Sequence, residues 1–547
     1  MGAALRPIAA GLILGAFAVP VVLGLLGTLM TALGGYPGAG SGWHVLQDPR
    51  LVAAVTSTLV TGLAATALAL LLAIAVVVLG WNRPSMRFLR HLLAPFLAVP
   101  HAALAVGLVF LLAPSGWLAR LVAPLAQWAR PPDSWVVPDA LGLSLILGLA
   151  LKELPFLLFT ALAYLPRLDP QASLRQGRLL GYAPSQCWSR LILPRLLPLM
   201  RLPIGVVLAY NLTVVDMALI LGPGQPPTLA VAVVEYFYQP GGRAAASLAS
   251  LGLLGVLAIG FVLAQVAYRL LARWRAQRCL DGQRRVARPA VGMGAWALLW
   301  GVWSLISASL AALALWSVAQ RWRFPDVWPS TLTLRFWTQR WADWWPLIEN
   351  TLALALFSSL LAVASALVWL ELERHRQVPR LDGLWYVPLF IPQVCVLLGW
   401  QAGALLIGAD AQFSTLVWAH WVYALPYALL VLAGPWRALD PGFERQAQLL
   451  GAGYLRRLGR VRIPLLLRAL LSAWAVAMSV SIAQYLPTLL LGAGRFPTLT
   501  TELVTSFGGV DRRVIGTLAS LQMLLPWLAF ALALAIPAGL YRRRRGA

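Results

Sequence analysis

Apolar runs long enough to cross a bilayer recur from one end of the chain to the other, separated by short stretches rich in Gly, Pro and Arg. A hydrocarbon core of ~30 Å takes about 20 apolar residues as a helix. Twelve runs reach that length. In the N-terminal half they cover 8–34, 51–80, 91–113, 140–166, 196–221 and 246–268; in the C-terminal half they cover 294–319, 347–371, 384–407, 414–436, 466–490 and 515–540. The first run is longer than the apolar region of a signal peptide and no clear small-residue cleavage site follows it, so it is read as a span. The pattern predicts an all-α polytopic membrane protein.

The polar punctuation repeats. Leu221-Gly-Pro-Gly-Gln-Pro-Pro-Thr-Leu229 returns as Leu491-Gly-Ala-Gly-Arg-Phe-Pro-Thr-Leu499, displaced by 270 residues, with six of nine positions identical. The same displacement relates Gly181 to Gly451 and Pro194 to Pro464, while Leu154-Pro155 and Leu425-Pro426 differ by 271. The matching residues are Gly, Pro and Thr, which set loops rather than fill lipid-facing surface. A duplicated chain follows, divided as residues 1–289 and 290–547. Six spans lie between Gly181 and Gly451, an even number, so the repeats are expected to run parallel, with a solute path where they meet.

Composition agrees with a membrane protein. Of the 547 residues, 60% are hydrophobic and 11% charged, and the mean hydropathy is +0.77. The net charge of +24 is spread through the loops rather than gathered into a soluble nucleic-acid-binding domain. With the N-terminus cytoplasmic, 31 of the 43 Lys and Arg fall in or beside cytoplasmic segments and 12 elsewhere, as positive-inside topology requires. The clearest basic loops are Arg83 to Arg90, Arg269 to Arg288, Arg374 to Arg380 and Arg542 to Arg545, and residues 269–288 form the natural linker between halves. One loop runs the other way: 320–346 carries Arg321, Arg323, Arg335 and Arg340 on the outer side, among tryptophans suited to a membrane interface. The three cysteines, Cys187, Cys279 and Cys395, have no C-x-x-C spacing and no His cluster, so neither a disulfide framework nor a metal site is expected.

Two cytoplasmic loops share one plan. In residues 169–195, Asp169-Pro170 leads to Arg175-Gln-Gly-Arg-Leu-Leu-Gly181 and on to Leu191-Ile-Leu-Pro194; in 440–465, Asp440-Pro441 leads to Arg445-Gln-Ala-Gln-Leu-Leu-Gly451 and on to Val461-Arg-Ile-Pro464. Gly and Pro stand 13 apart in both. The spacing predicts a helix ended by a left-handed Gly, then a short basic and apolar helix on the membrane surface, stopped by Pro.

This arrangement resembles the coupling loop of binding-protein-dependent ABC importer permeases, where Glu-Ala-Ala, three residues, Gly, and later Ile-x-Leu-Pro occur. Span number, loop positions and duplication are similar to the fused two-domain permeases of the thiamine and ferric-ion importer group. The resemblance implies two parallel six-helix repeats with the fold of methionine-importer permeases, in a bacterial inner membrane with both termini cytoplasmic. It implies two ABC ATPase subunits and a periplasmic substrate-binding protein as partners, beside membrane lipid and without nucleic acid. By that resemblance Arg175, Gln176, Gly177, Gly181 and Pro194, with Arg445, Gln446, Ala447, Gly451 and Pro464, face the ATPases. The sequence departs from the family where Glu-Ala-Ala should stand, and Glu444 sits one residue too early to replace the missing Glu without a shift.

A nucleotide-binding P-loop needs a Lys after its second Gly, and the one lysine of this chain is Lys152, inside an apolar span. ATP is therefore expected to be used by a partner subunit, and this chain to be non-catalytic and to bind no cofactor itself. Charges within spans are costly, ~2.5–3.5 kcal/mol on insertion scales, and tend to face the bundle interior. Lys152, Glu153 and Asp216 qualify as path residues, with Asn211 near Asp216 and with Gln484 and Tyr485 beside its repeat equivalent Leu486. The competing reading is a structural polar network. Gly222, Gly224, Thr228, Gly492, Gly494 and Thr498 are candidates for an outer gate, with a plain turn, capped by Thr228 and Thr498, as the simpler account. An ion-gradient-driven secondary transporter of 6+6 architecture, with the intramembrane charges carrying coupling ions, is the alternative.

Overall fold

The computed structural model describes residues 5–35, 42–81, 83, 86, 93, 95–133, 137, 139–280 and 291–542. Most of the basic loop 83–90, linker residues 281–288, the boundary at 289/290 and the tail 543–545 lie outside the described residues.

The main helices are α1 (Leu5–Ala32), α2 (Arg50–Gly80), α3 (His101–Leu112), α4 (Trp117–Ala126), α5 (Leu143–Tyr164), α6 (Pro170–Leu179), α7 (Leu193–Leu199), α8 (Arg201–Thr213), α9 (Asp216–Leu221) and α10 (Leu229–Tyr238). They continue as α11 (Arg243–Leu280), α12 (Val291–Val318), α13 (Trp341–Arg374), α14 (Gln393–Leu406), α15 (Phe413–Ala438), α16 (Gly442–Leu449), α17 (Ile463–Ala483), α18 (Leu486–Gly492), α19 (Leu499–Ser506) and α20 (Arg512–Arg542). Among the described residues, ten helices are long and apolar enough to cross a membrane, or up to twelve when each of two bent pairs is one span. The bent pairs are Pro184–Leu199 with Arg201–Thr213, at 65°, and Asp382–Leu389 with Gln393–Leu406, at 86°.

Two of the expected spans end early. The runs 196–221 and 466–490 read as continuous helix, yet α8 stops at Thr213 and α17 at Ala483. Val214 and Gln484 are extended, and α9 and α18 start two residues later. Apolar composition alone does not mark such a break, because Val and Leu are as common on either side of it.

Compact units cut across the halves. One consists of 1–31, 98–100 and 335–547, the other of 32–97 and 101–334. Each therefore contains the first helix of the opposite half. In the first unit α1 crosses α14 at small residues: a Cβ on Gly399 would lie 1.8 Å from the Gly24 oxygen, and one on Gly27 would lie 3.0 Å from the Gly399 oxygen. Small residues let helix backbones approach where lipid gives no hydrophobic drive. Thr28 Oγ1 donates to the Cys395 carbonyl at 2.5 Å, and Trp400 Nε1 to the Pro20 carbonyl at 2.6 Å. Phe17 packs on Trp385 with ring centroids 4.8 Å apart. In the second unit α12 crosses α3 at Gly107, whose Cβ would lie 2.7 Å from the Ser309 oxygen.

The remaining packing repeats within each unit. In one, α2 packs on α5 and α8; in the other, α13 packs on α15 and α17. The duplication is visible in two hydrogen bonds: Leu229 N–H donates to Thr58 Oγ1 at 2.8 Å, and Leu499 N–H to Thr351 Oγ1 at 2.9 Å. The Arg-rich loop 320–346 is held by a buried arginine. Arg120, 2% exposed, donates to the carbonyls of Ser115 (3.0 Å), Arg323 (2.6 Å) and Asp326 (3.0 Å).

Candidate coupling loops and translocation path

Both loops close with the same backbone device. After α6, Gly181 takes φ +81°, its N–H reaches the Arg178 carbonyl at 2.9 Å, and the Tyr182 N–H reaches the Gly177 carbonyl at 2.9 Å. After α16, Gly451 takes φ +77°, with Gly451 N–H to Gln448 O at 2.9 Å and Ala452 N–H to Ala447 O at 3.0 Å. This is the Schellman closure, in which a left-handed residue lets the chain reverse while the last carbonyls stay bonded. Asp169 caps the first helix by accepting from the Ala172 N–H at 3.1 Å, and Asp440 accepts from the Gly442 N–H at 2.8 Å.

Downstream the expectation fails. Neither Pro194 nor Pro464 stops its helix: the first runs on to Leu199 before a 65° bend into Arg201–Thr213, and the second continues unbroken through Ile463–Ala483. A five-residue π-helical stretch precedes each, Trp188–Ile192 and Leu458–Arg462, with the Leu193 N–H bonded to the Trp188 carbonyl and the Ile463 N–H to the Leu458 carbonyl. A proline ring clashes with the carbonyl four residues back in an α-helix. Widening the preceding turn by one residue removes that conflict.

The inner faces of the two loops differ in chemistry. In the first, Ser173, Leu174 and Gly177 are buried, a Cβ on Gly177 would lie 2.3 Å from Cys187 Sγ, and Trp188 meets Trp81 edge-on at 5.9 Å. In the second, the places of Leu174 and Ile192 are taken by Glu444 and Arg462. Arg462, 3% exposed, donates to Glu444 Oε1 at 2.9 Å and to the Trp436 carbonyl at 3.0 Å. Arg374 donates to Glu444 Oε2 and to Glu371 Oε1 at 2.9 Å. The Tyr454 hydroxyl donates to Glu371 at 3.3 Å. Glu444 therefore points inward and does not take the place of the absent Glu. Glu371, Arg374 and Arg462 escaped the sequence reading, although opposite charges at the end of α13 and after α16 were the available signal.

The outer faces agree. Arg175, Gln176, Arg445 and Gln446 are exposed, Gly177 is buried and Ala447 half-buried. Leu179 and Leu180 are 88% and 59% exposed, and Leu449 and Leu450 both 87%.

Within the membrane, the three expected charges fall in one neighbourhood with two residues not anticipated, His101 and Tyr210. Glu153 Oε1 lies 3.5 Å from His101 Nε2, the His101 and Tyr210 rings are 4.6 Å apart, and the Tyr210 hydroxyl donates to Asp216 Oδ1 at 3.4 Å. Lys152 turns to the Leu97 carbonyl at 3.1 Å, consistent with adjacent helical residues pointing ~100° apart. Asp216 opens α9 just after the helix break. Asn211 instead ties α8 to α2, donating to Thr66 Oγ1 at 3.0 Å.

The other unit holds a polar knot around Ser481, which stands 270 residues after Asn211. His420 pairs with Ser481 Oγ at 2.8 Å and Thr488 Oγ1 at 3.0 Å, Ser358 donates to Ser481 at 2.9 Å, and Gln484 Nε2 donates to the His420 carbonyl at 3.2 Å. Tyr485 sits at the break itself, 6% exposed.

The repeated Gly-rich segments are turns leading into α10 and α19. A Cβ on Gly222 would lie 2.3 Å from the Ala218 oxygen, whereas one on Gly224 would meet nothing within 4 Å, and Gly492 is in ordinary contact with Leu416. Gly494 takes φ +77°. Thr498 caps α19, its Oγ1 accepting from the Thr501 N–H at 3.3 Å. Thr228 does not cap α10; its hydroxyl is buried and has no partner. The anchors at both places are Thr58 and Thr351, named above.

No protein-family model matches the chain. Curated relatives do. The chain is 33% identical over 497 residues to the inner membrane ABC transporter permease protein YnjC of Escherichia coli K12, covering 90% of this chain and 89% of that protein. It is 27% identical over 228 residues to the putative 2-aminoethylphosphonate transport system permease protein PhnV of Salmonella typhimurium, covering 40% of this chain and 82% of PhnV. A 136-residue match at 24% identity links it to the spermidine/putrescine transport system permease protein PotC of Haemophilus influenzae, covering 24% of this chain and 53% of PotC. With paired loops of one design on a polytopic helical frame and a relative matched along nearly its whole length, the chain belongs to the inner-membrane permease subunits of ABC importers.

Proposed function

We propose that this permease forms the translocation path for a small solute delivered by a periplasmic binding protein, and that its two loops dock two cytoplasmic ATPase subunits. The chain itself hydrolyses nothing. Its repeats adopt the parallel arrangement of methionine-importer permeases, and both termini are cytoplasmic. His101, Glu153, Tyr210 and Asp216 line the path, while Gly222, Gly224, Gly492 and Gly494 shape its outer turns.

One observation carries the reading: a nearly bare pair of leucines ends the helix before the left-handed Gly in both halves, at the same 270-residue displacement. Apolar side chains left this open on a loop want a partner groove. Two grooves imply two partner subunits. Reconstitution in proteoliposomes with a candidate ABC ATPase subunit tests it. Uptake is expected to require ATP, and replacing Leu179, Leu180, Leu449 and Leu450 together by Ala is expected to abolish ATPase co-purification. Uptake driven by a proton or sodium gradient without ATP would overturn the proposal.

A further inference from the structure

The docking loops carry positive charge, and their exposed carboxylates, Asp169 and Asp440, stand at the helix starts. Between Asp169 and Asp216 there is no acidic residue, and between Asp440 and Glu502 there is one, Glu444. That carboxylate is folded inward between Arg374 and Arg462, its side chain 12% exposed. Asp169 and Asp440 are engaged at the starts of their helices. Outward, beside the bare leucines, stand Arg175 and Arg178 in the first loop and Arg445, Arg456 and Arg460 in the second, all exposed. An arginine driven into a dry interface by neighbouring leucines loses its water, and an opposing carboxylate, which brings charge as well as hydrogen bonds, restores that loss best.

We infer that the ATPase partner of this permease presents an apolar groove with an acidic rim, and that Arg175 and Arg445 are its specificity contacts. The inference rests on the docking role proposed above for the same loops. The ionic pocket around Glu444 is part of the device, because it withdraws from the surface the acid that stands next to Arg445 and would repel such a rim. A basic, leucine-bearing loop also suits an anionic membrane. The ATPase is favoured because the leucine pairs stand at the turn of a rigid, fully bonded helix end in both halves, displaced by the same number of residues. A lipid contact requires no such register.

The test uses the whole permease in nanodiscs and the candidate ABC ATPase subunit of the reconstitution above. Arg175→Glu with Arg445→Glu is expected to weaken ATPase binding by at least about tenfold, and wild-type binding is expected to fall as salt rises. A compensating Glu-to-Arg change on the ATPase rim is expected to restore it. Both arginines are exposed, so the fold is not at risk, and Arg445→Gln serves as a milder second variant. Binding unchanged by both variants and indifferent to salt would overturn the acidic rim. So would variants that detach the loops from vesicles containing anionic lipid while leaving ATPase binding intact. If the leucine substitutions abolish binding and the arginine substitutions do not, the docking reading stands and the rim falls. If the wild-type permease binds no ATPase, both fall.

Discussion

Arg462 and Glu444 lie 18 residues apart in sequence and 2.9 Å apart in space, joining the start of one coupling helix to the π-helical stretch that follows it. The first half holds Ile192 and Leu174 at these places, both buried. Removing one member of a buried pair leaves an uncompensated charge, at about 3–5 kcal/mol, whereas apolar replacement of both can be neutral. Arg462→Leu alone leaves Glu444 held by Arg374, so it is expected to destabilise the permease by about 3 kcal/mol, the lower end of that range. Glu444→Leu combined with Arg462→Ile is expected to recover much of the loss. Thermal unfolding in detergent reads both, and a double variant as unstable as the single one would contradict the expectation.

At Gly451 a Cβ would meet nothing within 4 Å, so any harm from a side chain there is backbone harm. Left-handed backbone costs a non-glycine residue roughly 1–2 kcal/mol, and asparagine is the residue that best tolerates it. Gly451→Val is expected to weaken ATP-driven uptake clearly and Gly451→Asn only slightly, and the same order should hold at Gly181. Equal activity in the Val and Asn variants would show that the turn is not needed in this form.

Glu153 and Asp216 offer buried carboxylates near the His101 and Tyr210 rings. Glu153→Gln and Asp216→Asn keep shape and remove charge. Uptake in proteoliposomes is expected to fall by about tenfold or more, with ATPase co-purification retained, as a lost charged contact of ~1.5–3 kcal/mol implies. Normal uptake in both variants would leave these residues a purely structural role.

Outside the spans, Arg50 and Tyr236 both bond to Asp48, the hydroxyl of Tyr236 at 2.7 Å. They hold the Asp48 carboxyl well below the usual carboxylate range, with Arg50 the larger influence. A lowered folded-state value stabilises the fold above the unfolded value of about 3.9 and loses that contribution as pH falls through the folded one. The gap in melting temperature between wild type and Asp48→Asn is therefore expected to be full at pH 6 and to shrink below about pH 4. A gap that stays constant down to pH 3 would count against it.

The all-helical, many-span character was legible because lipid demands long apolar runs, and the recurring turns because glycine and proline there are hard to replace. Gly181, Gly451 and the leucines before them could be placed from spacing alone. Partners distant in sequence could not. Nothing near Asp216 announces His101, 115 residues upstream, and the π-helical turns before Pro194 and Pro464 look locally like ordinary helix. The exchanged first helices were equally hidden, since Gly24 and Gly399 become meaningful only once they face each other.

That exchange bears on how the protein is made. The segment that emerges first from the ribosome is α1, yet its seat on Cys395, Gly399 and Trp400 is synthesised almost four hundred residues later. Its glycine-lined face must wait in the bilayer through most of translation. Assembly is therefore a late event, completed only after the second half has been inserted, and a chain cut short before α14 leaves that helix without its groove and open to the membrane's quality control.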